Sequence, residues 1–162
     1  MNQSAAKLAT RTTALCAAGI ALAMTASVAR AASAEPDPAL AKAPDDAGLA
    51  WGPCPDFLPA GCAIALLHGD PARPNVDIFF KVPARAEIPS HTHTSAERMV
   101  LVAGEMQVTY EGQPMIRLAP GTYAYGPAGR PHHATCVSDT PCTLFIAFEA
   151  PLDAMPSDGG DR

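Results

Sequence analysis

The sequence predicts an all-β domain, a small antiparallel β-barrel or jelly roll. Short stretches rich in aliphatic, aromatic and β-branched residues recur along the chain at close spacing. Turn sequences such as Pro120-Gly121 separate these stretches. None of the stretches has the periodicity of an amphipathic helix. Many short strands that are joined by tight turns are typical of sandwiches and barrels.

The strand-like segments follow one another from the middle of the chain to near its end. Two of them flank Ala103-Gly104 closely enough to form a hairpin. The predicted strands are residues 63–67, 75–82, 97–102, 105–111, 115–118, 122–125, 131–137 and 142–149. One copy of this series, without an internal repeat, predicts a single domain.

The N-terminal part predicts a secretory signal peptide over residues 1–34. Lys7 and Arg11 precede an apolar run of small residues, and small-residue cleavage sites follow between Ala31 and Ala34. A retained N-terminal anchor is the alternative, although the run barely reaches the roughly 20 apolar residues that a membrane span needs. We therefore expect a periplasmic or secreted protein without a stable membrane anchor.

Composition divides the remaining chain into three parts. Residues 35–50 are rich in Pro, Ala and Asp and predict a flexible leader. Residues 51–150 hold all the predicted strands and form the domain. Residues 151–162 are polar and Gly-rich, so we expect a mobile tail.

Charge argues against polyanionic partners. The chain has 11 basic and 16 acidic residues, a formal charge of −5. Residues 1–34 hold three of the basic residues and none of the acidic ones, so the exported chain would carry −8. A chain this acidic lacks the basic stripe that phosphates require, which makes nucleic acid and anionic lipid surfaces unlikely partners on physical grounds.

Four cysteines remain after the predicted signal peptide, and they predict two local disulfides. Cys136 and Cys142 flank a hairpin-like turn that would set them opposite each other, at a spacing that suits a disulfide. Cys54 and Cys62 would then close the Pro-rich segment that enters the domain. The alternatives are four free thiols, or a thiolate that joins a metal site.

His91, His93 and Glu97 form a cluster of residues that can hold a metal. Side chains alternate between faces in an extended strand, so His91 and His93 point to the same side. Glu97 keeps that parity, and a turn over residues 94–96 would bring it back towards the same point. A further histidine, His132, follows a Gly- and Pro-rich run. Imidazole and carboxylate donors together suit Fe, Mn, Ni, Co or Zn better than Ca or Mg.

Two motifs around these residues resemble the metal-binding pair of the cupin superfamily. The first reads H-x-H-x3-E-x6-G over residues 91–104, and the second reads G-x5-P-x-G-x2-H over residues 121–132. The resemblance extends over residues 76–148. Two positions depart from the family pattern: Arg85 replaces an early glycine, and Cys136 replaces an asparagine that is often present.

The resemblance implies the double-stranded β-helix of the cupins and one divalent transition metal. Carried over residue by residue, the metal ligands are His91, His93, Glu97 and His132. A degenerate cupin that keeps the fold without the metal is the alternative. His133 has the opposite strand parity to His132, so we expect it to face solvent or a neighbouring subunit.

Residues near the ligands in sequence suggest how a pocket would be lined. By strand parity, Met99 and Met106 would give it an apolar wall. Tyr123 and Tyr125 precede the last ligand; they would place a hydroxyl near the metal or act as core aromatics with the hydroxyl at the rim. Arg130 would bind an anionic substrate or cover the mouth of the barrel.

Two classes of function are compatible with these features. The first is an exported metal-dependent cupin enzyme, an oxygenase of the non-haem type that acts on a small organic molecule. The second is a non-catalytic cupin that binds a metal or a small molecule in the periplasm. We expect a homodimer, because an open sheet edge invites pairing. Reference pKa values predict metal retention at pH 7 and release below about pH 5.

Overall fold

The computed structural model describes residues 37–158, so the predicted signal peptide and residues 159–162 lie outside the described part. Residues 37–50, the described part of the predicted leader, contain turns but neither helix nor strand. From residue 37 to residue 158 there is no helix with the length and apolarity that a membrane span requires.

Antiparallel β-strands build the rest of the described chain, which confirms the predicted all-β class. The strands are β1 (Trp51–Pro53), β2 (Ala63–His68), β3 (Val76–Val82), β4 (Glu87–Thr92), β5 (Glu97–Ala103), β6 (Met106–Tyr110), β7 (Ile116–Leu118), β8 (Tyr123–Gly126), β9 (His132–Cys136), β10 (Cys142–Phe148) and β11 (Met155–Pro156).

The strands form two sheets that share one interior. The first sheet has the order β1-β2-β3-β10-β5-β8, and the second has the order β11-β4-β9-β6-β7. From β3 onward the chain passes repeatedly from one sheet to the other, so both sheets contribute side chains to the same core. Every pair of neighbouring strands is antiparallel. This arrangement is the barrel that the sequence predicts.

Alternation along β5 shows which face of the strand points inward. Glu97, Met99 and Leu101 are buried, whereas Arg98 between them is exposed. The apolar members of this set pack in the core with Met106 and other side chains from both sheets. Burial of a side chain of this size contributes about 1.5–3 kcal/mol, so packing fixes the face of β5 strongly. Glu97 is thereby carried to the interior with its apolar neighbours.

Both predicted disulfides are present in the structure. Cys54 and Cys62 have a Cα–Cα distance of 5.6 Å, and Cys136 and Cys142 have one of 5.7 Å. The second pair joins the end of β9 to the start of β10. The four cysteines are therefore neither free thiols nor metal ligands.

Arg85 explains how the chain does without the glycine that the cupin pattern has at this position. Its backbone lies in the left-handed region, with a φ of 61°, a conformation that costs a residue with a Cβ about 1–2 kcal/mol. Its exposed guanidinium donates to Asp139 Oδ1 from Nε at 3.0 Å and from Nη2 at 2.6 Å. Such a surface ion pair contributes about 0–1 kcal/mol, which offsets at most part of this cost. The substitution keeps the glycine-like turn and links it to the turn between β9 and β10.

The described part of the predicted tail pairs with the domain. In β11, Met155 and Pro156 lie opposite Thr92 and His91 of β4. The Ser157 N–H also donates to the carbonyl oxygen of Ser90 at 3.0 Å. Composition alone could not reveal this pairing, because backbone hydrogen bonds do not depend on apolar side chains.

Candidate metal centre

Two strands of the second sheet place two histidines side by side. His91 in β4 and His132 at the start of β9 are direct partners in the ladder. His93 lies just beyond the end of β4, and ring nitrogens of the three histidines lie within 4.8 Å of one another. All three side chains are buried, whereas His133 is exposed, as its strand parity predicts. The fold thus brings together three of the four predicted ligands.

Glu97 reaches the same point from the first sheet. The chain bends at residues 94–95, and the buried hydroxyl of Ser95 accepts two backbone N–H groups after β10, at 2.8 and 3.0 Å. The bend leads directly into β5, so its first residue faces the histidines. Glu97 Oε1 lies 3.3 Å from His93 Nε2, and Oε2 lies 3.5 Å from His132 Nε2.

Backbone carbonyl groups fix which nitrogen of each histidine faces the cluster. The Nδ1 atoms of His91, His132 and His93 contact the carbonyl oxygens of Pro89 (2.8 Å), Arg130 (3.1 Å) and Asp153, respectively. A carbonyl oxygen only accepts hydrogen bonds, so each Nδ1 carries the proton and each neutral ring keeps a lone pair on Nε2. Metal-binding histidines are commonly oriented in this way.

His93 Nε2 provides a test of whether the cluster fits a cation. Although it lies 3.3 Å from Glu97 Oε1, this buried atom has no hydrogen bond within the described chain. A buried polar atom without a partner is rare in proteins. Imidazole lone pairs that face a carboxylate suit a divalent transition metal, which would satisfy all of them at once.

Burial controls the protonation of the cluster in the metal-free protein. It lowers the pKa of His91 to about 4 and that of His132 to about 3, and it lowers the pKa of His93 as well. Burial raises the pKa of Glu97 to about 8. At neutral pH the histidines are therefore in the form that binds a metal, and the Glu97 carboxyl group holds a proton that a cation must displace.

Two cavities adjoin the cluster, and we call them the outer cavity and the inner cavity. The outer cavity has a volume of about 230 Å³ and is mainly apolar, with walls that include Leu58, Phe80 and Phe148. The inner cavity, of about 40 Å³, lies among the core side chains and includes Tyr110 in its lining. His91 and Glu97 line both cavities. The cluster therefore lies between a larger and a smaller space.

The structure separates the four predicted pocket residues into two pairs. Met99 and Met106 line the inner cavity. Tyr123 and Tyr125 instead face outward, with exposed fractions of 60% and 52%. The reason is the pairing of β8 with β5, in which Ala124, between the tyrosines, is the partner of the inward-facing Met99. Neither tyrosine brings its hydroxyl to the cluster.

The role of Arg130 and the residues that line the outer cavity also differ from what the sequence predicts. The Arg130 side chain lines neither cavity, and its contribution is the carbonyl group that orients His132. Two segments that close the outer cavity, and contribute Leu58 and Leu152, were not predicted from the sequence. The one signal for the first of these segments was an apolar pair, residues 57–58, inside a loop closed by a disulfide.

Comparison with known proteins agrees with this architecture. Residues 78–148 match the sequence model of the Cupin domain family. Over 75 residues, or 46% of this chain, the sequence is 35% identical to dimethylsulfoniopropionate lyase DddQ of Ruegeria pomeroyi. That match covers 37% of the length of the lyase.

Solved structures show the same fold. The crystal structure of DddQ from Ruegeria pomeroyi aligns with a TM-score of 0.58 at 25% identity, over 69% of this chain and 64% of that one. A cupin 2 conserved barrel domain protein from Rhodopseudomonas palustris aligns with a TM-score of 0.57 at 16% identity, over 69% of this chain and 79% of the other, a likeness of fold alone. Residues 78–148 thus match the Cupin domain family in sequence, and the domain that contains them has the double-stranded β-helix fold.

Proposed function

We propose that this chain is an exported cupin that binds one divalent transition metal and a small organic molecule beside it. His91, His93, Glu97 and His132 hold the metal, and the outer cavity holds the molecule. The observation that carries this proposal is the meeting of three Nε2 lone pairs and a carboxylate at the wall of an apolar cavity. Cavities of this composition are the usual sites of small-molecule binding.

The four ligands leave room for a substrate on a metal with six coordination positions. A tetrahedral zinc site with four protein ligands would be closed and structural, so a six-coordinate Fe, Mn, Co or Ni centre fits the proposed activity better. When bound, the metal supplies Lewis-acid or redox chemistry. The protein itself holds the histidine rings in one tautomer, surrounds the organic molecule with apolar side chains, and limits the access of water.

We propose an enzyme, and two reaction types are the first to test. Similarity to a lyase that is named for dimethylsulfoniopropionate supports elimination from a small substrate. The histidine and carboxylate donors support oxygenation, because non-haem iron oxygenases use related ligands with open positions. Release of dimethyl sulfide from dimethylsulfoniopropionate, and oxygen uptake by the iron-loaded protein with a panel of small organic molecules, distinguish these reactions.

Metal content tests the ligand set separately from any reaction. We expect His93→Ala and His132→Ala to lose most of the metal while the barrel remains folded, because each removes one of the inward lone pairs. His133→Ala is the matched control, since this neighbouring histidine is exposed and should retain the metal. The measurement is elemental analysis of protein purified from an oxidising compartment. Full occupancy in both ligand variants would refute the proposed centre.

Non-catalytic binding is the second candidate function. The apolar outer cavity supports it, since a space of about 230 Å³ can hold a small ligand without any reaction. In that case the metal-loaded protein would bind small molecules, as seen by calorimetry, without turnover of any of them.

The two disulfides support export, because stable disulfides are formed in oxidising compartments. Mass measurement of the protein from the cell envelope would show whether cleavage occurs between Ala31 and Ala34. We also propose a homodimer that forms through an open sheet edge, at β1 or β8 of the first sheet. Light scattering of the eluted protein would give its mass, and a monomer at micromolar concentration would contradict the dimer.

A further inference from the structure

The Tyr110 hydroxyl is a buried hydrogen-bond donor without an acceptor in the described part of the chain. Tyr110 lies at the end of β6, is 2% exposed, and is the ladder partner of His132. The two rings have centroids 4.9 Å apart. Buried hydroxyl groups nearly always find a partner, and one without a partner destabilises the fold. A hydroxyl group at this position beside the proposed metal centre therefore needs an acceptor to explain it.

Gly126 shows that this hydroxyl lies close to the Glu97 carboxylate. A Cβ atom added at Gly126 would lie 2.7 Å from Tyr110 Oη and 3.0 Å from Glu97 Oε2. Both oxygens therefore border the same small volume, which stays open because residue 126 has no side chain. A phenol has an ordinary pKa of about 10, so the hydroxyl is a protonated donor at neutral pH.

The inner cavity supplies the space for an acceptor. Its polar lining consists of His91, His132, Glu97 and Tyr110, and its other walls are apolar side chains such as Met99. The histidine Nδ1 protons are already used by backbone carbonyl groups. The phenol is therefore the donor that this lining leaves available. A volume of about 40 Å³ has room for about three water-sized atoms.

We propose that the inner cavity is a second binding site, for a small inorganic anion that accepts the Tyr110 hydroxyl. This inference rests on the proposed metal centre and extends it. A divalent metal together with the Glu97 carboxylate leaves a net positive charge, which favours an anion of one to three atoms. The organic molecule in the outer cavity and the small ligand in the inner cavity would then approach the centre from different sides.

Azide binding to the cobalt-loaded protein tests this site. Tyr110→Phe removes only the hydroxyl, and Tyr125→Phe is the matched control because its side chain is exposed. We expect equal cobalt content in the three proteins, since the phenol is not among the proposed ligands. Titration with azide, followed by the visible absorption of cobalt, should show a dissociation constant about 10- to 100-fold higher in Tyr110→Phe alone.

The outcomes separate this inference from the proposed function. Cobalt bound by all three proteins with equal azide affinity, or with no azide binding, would refute the inner site and leave the metal centre intact. Loss of cobalt in Tyr110→Phe alone would also refute it, because the phenol would then be a ligand. A wild-type protein that binds no cobalt, iron or manganese would refute the proposed metal centre itself.

Discussion

Metal binding at neutral pH should release one proton, and Glu97 is the residue that loses it. In the metal-free fold its carboxyl pKa is about 8, so the group is about 90% protonated at pH 7. His91 and His132, with pKa values of about 4 and 3, are already neutral and contribute no proton. Binding requires an ionised carboxylate, and the proton therefore leaves as the metal arrives.

The expected pH dependence follows from these values. Between pH 8 and pH 5 the apparent dissociation constant of the metal should rise about tenfold for each unit of pH, the slope for one proton. Below about pH 4 the slope should steepen, because the histidines then compete as well. Reference pKa values from sequence alone predict metal retention at pH 7 and release below about pH 5 through the histidines. The structure thus changes which group dominates.

Stability of the metal-free protein should show the same linkage. The folded pKa of Glu97 lies above its ordinary value of 4.5, so its stabilising contribution is complete below that value and is lost as pH rises through about 8. The folded pKa values of His91 and His132 lie below the ordinary value of 6.5, so their contributions are present above 6.5 and are lost as pH falls towards 4 and 3. The melting temperature should therefore be highest near pH 6.5, and bound metal should remove the decline towards pH 8.

Calorimetry measures the proton directly. Titration of cobalt into the metal-free protein at pH 7, in buffers of different ionisation enthalpy, gives the number of protons released per metal. We expect about one for the wild type and about zero for Glu97→Gln, which has no carboxyl proton to lose. Release of two or three protons at pH 6, or of none at pH 7, would refute the reasoning.

Three further perturbations test individual contacts. Asp153→Ala removes the carboxylate that accepts hydrogen bonds from the Thr94 N–H at 2.9 Å and from the Thr94 hydroxyl at 2.6 Å. The Asp153 carbonyl group that orients His93 is then held less firmly, so metal binding, measured by titration, should weaken about 10- to 100-fold. Asp158→Ala, at an exposed position, is the control. Gly126→Ala places a Cβ 2.7 Å from a buried phenol oxygen and should lower the free energy of unfolding by about 1–3 kcal/mol in urea denaturation. Alkylation should find no reactive thiol before reduction, and loss of the disulfide between β9 and β10 should cost about 2–4 kcal/mol.

The fold class and the pairing of His91 with His93 could be predicted because each depends on patterns that are local in the sequence. Two histidines that are two residues apart must share a face of a strand, and this holds for His91 and His93 whatever their neighbours are. The turn that returns Glu97 to them is equally local. His132 lies far away in sequence, and its place beside His91 was implied by the resemblance to cupins, not by spacing.

The positions of Tyr123 and Tyr125 could not be derived in the same way. Alternation states that both tyrosines share a face of β8, but not which face. The choice is made by pairing with β5, where Ala124 aligns with Met99 and Gly126 with Glu97. A change of one residue in the register between β8 and β5 would turn both tyrosines to the other face of β8. Only the pairing with β5 therefore determines whether they point inward or outward. The same limit applies to β11, whose pairing depends on backbone groups that every sequence has.

The residues that line the outer cavity limit what a relative's substrate can indicate about the ligand of this chain. Part of its wall comes from the segment between Cys54 and Cys62, which contributes Pro55 and Leu58, and part comes from Leu152 near the C-terminal end. These residues lie outside the cupin match of residues 78–148, whereas the metal cluster lies inside it. A protein that shares only the matched region can therefore share the metal centre and still present a different wall to its ligand. Exchanging Leu58 for a polar residue should alter binding in the outer cavity while metal content stays unchanged, which assigns recognition and metal binding to separate parts of the chain.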